Sequence, residues 1–68
     1  MDINIRRAVK DNLNHASTED VRKTIMDAIQ IGEEKVLPGL GVLFELLWQK
    51  ADATYQNQIV TSICEALQ

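Results

Sequence analysis

The sequence predicts an all-α fold: one small domain over residues 1–68, with about four short helices and a central, nearly all-apolar third helix. Apolar residues recur at three- and four-residue spacing along the chain, which is the period of an α-helix. Residues that cap helices stand before these stretches. Residues 32–48 also contain all three glycines, the only proline, the only phenylalanine and the only tryptophan. We therefore expect the rest of the fold to be organised around this stretch.

The first two helices are predicted from their caps and stripes. Asp2 can cap the first, whose apolar stripe is Ile5, Val9, Leu13 and Ala16, and poor helix formers end it near residue 14. Ser17 opens the second helix, with Asp20 three residues on as in a capping box. Gly32 follows its last apolar residue, where a left-handed residue ends many helices.

A tight turn is predicted next, at Pro38, Gly39 and Gly41. A residue before proline is disfavoured in helical geometry, and Pro38-Gly39 suits the central positions of a type II turn. Gly41 adds a second point of backbone freedom just before a helix. Val36 and Leu37 are apolar residues in this loop, so we expect them to be buried.

The third helix should run from about Leu40 or Gly41 to Ala51. It is apolar on nearly every side, which indicates a buried, central helix. If three other short helices cannot cover it, a second copy of the chain must. Asp52 or Thr54 caps the fourth helix, whose apolar stripe is Tyr55, Ile59, Ile63, Ala66 and Leu67.

Composition excludes several classes of protein. One cysteine, Cys64, allows no internal disulfide, and His15 is the only histidine, so no zinc site is expected. The N-terminus has no apolar signal region and no stretch is long enough to cross a membrane, so we expect a soluble cytosolic protein without membrane contact. The net charge of −3 argues against nucleic acid as a partner.

No arrangement of nucleophile, base and orienting group is visible, so neither an enzyme, a cofactor nor a small-molecule substrate is expected. Cys64 has no basic neighbour that would activate it, and we interpret it as a buried structural residue. The glycine-rich turn lacks the P-loop and dinucleotide motifs, so a plain turn is the better interpretation than a phosphate site. Glu33 and Glu34, next to Lys35, are interpreted as an exposed charge cluster, with Glu45 as a further nearby carboxylate.

An interface is the best-supported site, because 68 residues build little core and self-association is one remedy. Two alternatives stay open: a helical adaptor that binds another protein through the third helix, and a nucleic-acid-associated protein with a local basic face. We expect a homodimer. The interface candidates are Val42, Leu46, Trp48, Phe44 and Leu37, and the basic face would comprise Arg6, Arg7, Lys10, Arg22 and Lys23.

The segment GEEKVLPGLGVLFE at residues 32–45 closely resembles the central segment of small acid-soluble spore protein I, a minor spore-protein family of endospore-forming bacteria. The opening MDINIR with Ala8-Val9, the DAIQ before the segment and Trp48-Gln49 after it also resemble that family. The likeness spans nearly the whole chain. The chain departs from the family pattern at its C-terminus, where the family often has a more charged last helix and a short tail.

The resemblance implies synthesis in the forespore and a place in the spore core. It does not imply the DNA coating of the larger α/β-type spore proteins, whose glycine-rich DNA-binding sequence and germination-protease site are not found here. It supplies no catalytic residues, and another spore protein stays open as a partner.

Overall fold

The computed structural model describes residues 4–68, and four α-helices make up most of them. No strand occurs between residues 4 and 68, which confirms the all-α prediction, and none of the helices there is long and apolar enough to span a bilayer. The helices are α1 (Asn4–Asn12), α2 (Thr18–Ile31), α3 (Leu37–Lys50) and α4 (Ala53–Ala66), with a short 3-10 helix at Glu34–Val36.

α1 ends at Asn12, two residues before the predicted end, and the predicted cap Asp2 lies outside the described residues. The Leu13 N–H still donates to the Val9 carbonyl at 3.1 Å, so the last turn continues beyond Asn12. His15 then takes a positive φ of 62°. A left-handed residue at this position turns the chain away from the helix axis.

α2 confirms both predicted caps. The Ser17 hydroxyl accepts from the Asp20 N–H at 3.1 Å, and the Ser17 N–H donates to the Asp20 carboxylate at 3.4 Å. Gly32 has a φ of 67°, and its N–H donates to the Ala28 carbonyl at 3.3 Å. These local bonds fix both ends of α2 without tertiary contacts.

The predicted turn at Pro38, Gly39 and Gly41 is wrong. α3 already begins at Leu37, so Pro38 lies in its first turn and both glycines lie within it. Proline is tolerated there because the first N–H groups of a helix have no intrahelical partner. Gly32 is the one glycine of the chain with a positive φ. The change of direction occurs earlier, at Gly32 and the 3-10 helix.

α3 packs on α1, which is the most extensive helix–helix contact in residues 4–68. The two helices run antiparallel, since Gly39 lies beside Val9 while Glu45, further along α3, pairs with Arg6. Val42 lies between these points on α3 and, at 8% exposure, is the one buried side chain in this part of the chain. α3 is therefore the central helix, although its neighbours cover only part of it.

Two burial predictions are wrong. Leu37 is 58% exposed, because it opens α3 instead of lying in a packed loop. Cys64 is exposed on α4, which contacts the other elements only sparsely. Val36 is half-buried.

Candidate interaction surface

The folded chain leaves unusually much surface uncovered. Its accessible surface is 5860 Å², whereas a folded monomer of 7.7 kDa exposes about 4,300 Å². Its radius of gyration is 13.0 Å against about 11 Å expected for a compact domain of 68 residues. The excess area is roughly 1,500 Å². The four helices thus form an open arrangement.

An open apolar groove with a volume of about 380 Å³ lies between α3 and α4. Large apolar side chains from both helices face each other across it, and small polar residues of α4 lie at its edge. We call this surface the α3–α4 groove. Its lining residues are Phe44, Leu47, Tyr55, Gln58, Ile59, Ser62 and Ile63.

Local hydrogen bonds set α4 beside the end of α3. Asp52 caps α4 by accepting from the Tyr55 N–H at 2.8 Å, which confirms one of the two predicted caps. The Gln56 side-chain amide donates to the Trp48 carbonyl at 3.0 Å. That carbonyl belongs to the last turn of α3, where carbonyl groups lack an intrahelical partner. The bond therefore joins the first turn of α4 to the end of α3.

An aromatic pair stiffens the α3 side of the groove. The rings of Phe44 and Trp48 stack with centroids 6.0 Å apart and planes 29° apart. This separation lies within the range at which aromatic pairs attract each other. Phe44 stays exposed and lines the groove, while Trp48 is half-buried behind it.

The groove carries no charge. None of the residues described in its lining is Asp, Glu, Lys, Arg or His, and Glu65 is the only charged residue within α4. Charged side chains are concentrated in the N-terminal half of the chain, where α1 and α2 hold most of them. An uncharged apolar surface of this kind loses little by losing water. Its chemistry suits another apolar surface.

The predicted interface candidates are separated by the fold. Phe44 lines the groove and Trp48 supports it, whereas Val42 is buried and cannot contribute to a surface of the single chain. Leu46 is half-buried and lies outside the groove lining. Leu37 is exposed beside a different cleft, formed by α2, the 3-10 helix and the start of α3.

Sequence reasoning missed the α4 side of the groove. Tyr55, Ile59 and Ile63 belong to the predicted apolar stripe of the fourth helix, yet Tyr55 and Ile63 are exposed and Ile59 is half-buried. Leu47 is also exposed, although the third helix was predicted to be buried. The sequence signal for the groove was the near absence of charge on α4, because uncharged polar residues lose less than charged ones when a partner removes their water.

A second cleft of about 370 Å³ lies where α1, α2 and α3 meet. Its walls are mainly half-buried apolar residues, with Asn12 and Thr24 adding polar atoms. No charged residue is among those described in the lining. The cleft therefore reflects incomplete packing among three helices. Its apolar residues are Val9, Leu13, Ala28, Val36, Leu40 and Leu43, together with Gly39.

The ionisable residues form pairs on the surface. Arg6 donates to Glu45, which lowers the pKa of the Glu45 carboxyl and raises the pKa of Arg6. Arg7 Nε lies 3.8 Å from Asp11 Oδ2, and Lys23 Nζ lies 3.0 Å from Asp27 Oδ2. Three of the five residues of the predicted basic face thus have an acidic partner. Pairing weakens the positive potential that phosphate binding needs.

Among residues 4–68, no three His, Cys, Asp or Glu side chains form a group that could hold a metal ion. Glu33 pairs with Lys35 at 3.1 Å, and His15 stands in the connection between α1 and α2. The fold and its groove together define a small all-α protein with an uncharged apolar groove between α3 and α4.

Comparison with known proteins identifies the family to which this small all-α protein belongs. The profile of the family "Small, acid-soluble spore protein I" matches residues 3–67, so the chain belongs to this family. Its relative from Bacillus licheniformis is 48% identical over 67 residues, which is 98% of this chain and 96% of the relative. The relative from Bacillus subtilis strain 168 is 49% identical over 63 residues, or 93% and 89% of the two chains.

A relative from Halalkalibacterium halodurans is 44% identical over 68 residues, which is the full length of both chains. All three carry the description "Small, acid-soluble spore protein I". The predicted family resemblance is thereby confirmed. No solved structure matches the chain.

Proposed function

We propose that this chain is a non-enzymatic protein of the spore core, made in the forespore during sporulation, where it acts as a folded homodimer. Family membership supports the role in the spore. The observation that carries self-association is that Val42 is the one buried side chain of residues 4–68, in a chain with about 1,500 Å² of excess surface. A domain this small usually needs a disulfide, a metal or a partner. With one cysteine and no clustered ligands among residues 4–68, a second chain supplies the missing core.

Fractionation of spores tests the location. Antibody against the protein is used on sporulating cells sampled over time, and on purified spores separated into coat extract and acid-soluble core extract. We expect the protein only after the forespore is formed, and then in the core extract. A coat marker and a core marker serve as controls. Signal in vegetative cells or in the coat extract would contradict the proposed location.

Sedimentation equilibrium of the purified chain tests self-association. We expect a mass near twice 7.7 kDa at about 100 μM, with dissociation on dilution towards 1 μM, a range that brackets affinities of about −5 to −8 kcal/mol. A reductant keeps Cys64 from linking chains covalently. A single 7.7 kDa species throughout the range rules out the homodimer and favours a helical adaptor with a different partner.

A further inference from the structure

We propose that two copies of this chain associate through the α3–α4 groove, the groove of one copy packed against the groove of the other about a two-fold axis. This inference rests on the proposed self-association and adds its location and symmetry. Closed dimers of identical chains nearly always use one self-complementary patch on both copies. The α3–α4 groove must therefore fit a second copy of itself in shape, in area and in charge.

The shape of the groove fits a helical partner. α4 contacts the other elements only sparsely, and its apolar residues cover a wider arc than α3 alone can shield. Val60 and Ile63 remain exposed on it, and so does Leu67 directly after its end. Two such α3–α4 pairs can pack as a four-helix arrangement, with helices about 8–10 Å apart. Each copy then supplies the layer of apolar side chains that the other lacks.

The chain as a whole exposes enough extra surface for a stable contact. A standard interface buries about 800 Å² on each partner. The excess surface of this chain is roughly 1,500 Å² over a compact monomer. An interface of standard size would therefore remove about half of the excess from each copy.

Charge favours the α3–α4 groove over the exposed apolar cleft around Ile29 and Leu37. Each copy has a net charge of −3, so two copies repel each other at long range. Around the exposed Ile29 and Leu37, the cleft includes Glu33 and Glu34. A two-fold contact there would bring four carboxylates together, and only those of Glu33 are paired with Lys35. The residues described in the lining of the α3–α4 groove carry no charge, so a symmetric contact there would bring no like charges together.

Two matched isoleucines provide the first test. Ile63→Glu places a charge in the groove, while Ile29→Glu places the same charge on α2; the two side chains are 42% and 65% exposed. We expect Ile63→Glu to raise the dimer dissociation constant at least about tenfold and Ile29→Glu to leave it within about twofold. Far-UV circular dichroism of each variant reports whether the helices are retained.

A second pair of substitutions changes the side chains less and serves as the test if Ile63→Glu loses helical structure. Gln58→Glu adds one charge at the groove edge, and Gln30→Glu adds one on the exposed face of α2. Glu and Gln have nearly equal helix propensities, so both variants keep their helices. We expect only Gln58→Glu to weaken the dimer, by about tenfold at low salt, and the defect to shrink in about 1 M salt.

The outcomes separate the two proposals. A wild-type dimer that dissociates with Ile63→Glu and Gln58→Glu, but not with their α2 controls, supports the groove. A wild-type dimer that ignores both groove variants overturns the groove and leaves the proposed self-association standing. A wild-type monomer at every concentration overturns both.

Discussion

Arg6 joins α1 to the middle of α3 by two hydrogen bonds to the carboxylate of Glu45. Its Nε lies 2.6 Å from Oε1, and its Nη2 lies 2.8 Å from Oε2. The two residues are 39 positions apart in the chain. A guanidinium and a carboxylate in this forked geometry fix orientation as well as distance. The pair therefore adds a polar contact that favours the observed register of α1 on α3.

The Arg6–Glu45 pair makes stability depend on pH. Hydrogen bonding to Arg6 lowers the folded pKa of Glu45 below its ordinary value of 4.5. Because the folded pKa is the lower one, the pair stabilises fully above pH 4.5, and its contribution is lost as the pH falls through the folded pKa. We expect Glu45→Gln to lower the urea midpoint at pH 7 and to unfold alongside the wild type in strong acid.

The matched control is Arg7→Gln, which removes the looser 3.8 Å pair with Asp11. Its effect at pH 7 should be smaller than that of Glu45→Gln, because neither Arg7 nor Asp11 joins two helices. All unfolding is measured at one fixed protein concentration, since association adds to apparent stability. An effect of Glu45→Gln that persists unchanged at low pH would show that the carboxylate is not responsible.

Val42→Ala should be the costliest of the small truncations. It removes two methyl groups from the one buried side chain of residues 4–68, which should lower the free energy of unfolding by about 1.5–3 kcal/mol. Val60→Ala makes the same change on α4, where the side chain is 46% exposed, and should cost less than about 0.5 kcal/mol. Helix propensity changes equally in both variants, so their difference measures burial. Equal losses would contradict the packing of α3.

Replacing two glycines by alanine, one at a time, tests whether the region around Gly41 is helical or forms a turn. Gly41 lies within α3, and an added Cβ there meets no atom within 4 Å, so Gly41→Ala should stabilise the fold by about 0.5–1 kcal/mol. Gly32 has a φ of +67°, so Gly32→Ala should destabilise it by roughly 1–2 kcal/mol. Thermal unfolding of the two variants gives shifts of opposite sign. If Gly41→Ala destabilised the fold, the result would support a turn at Gly41 instead of a helix.

Loss of the Ser17 cap should weaken α2 from its N-terminal end. Ser17→Ala removes the acceptor for the Asp20 N–H, at an expected cost of about 1 kcal/mol. Thr18→Ala, one residue further and also exposed, leaves the cap in place and should change stability by less than about 0.5 kcal/mol. Urea unfolding followed by circular dichroism compares the two. Similar losses in both variants would mean that the capping box contributes nothing.

The ends of α2 were predictable because short-range bonds determine them. Ser17, Asp20 and Gly32 act within one turn of the helix, so the sequence alone contains the information. The start of α3 was not predictable in the same way. Pro38 and Gly39 favour a turn and are also compatible with the first turn of a helix, and the preceding 3-10 helix had already changed the chain direction.

The candidate surface was only partly predictable for a geometric reason. Periodicity shows which residues of a helix share a face, but it does not show which faces other helices cover. Val42 was expected at the surface and is covered, whereas Tyr55 and Ile63 were expected inside and are exposed. Arg6 and Glu45, likewise, gave no sequence signal for their pairing, because they lie 39 residues apart.

The packing of α1 on α3 also bears on how the chain folds. Most tertiary contacts of residues 4–68 join near neighbours in sequence, and the α1–α3 contact must close a loop that contains all of α2. Chains dominated by local contacts fold in microseconds to milliseconds, and loop closure is the slow, entropically costly part. α1 docking is thus the step that should limit the folding rate. We therefore expect Val9→Ala to slow folding more than a comparable truncation in α4 does.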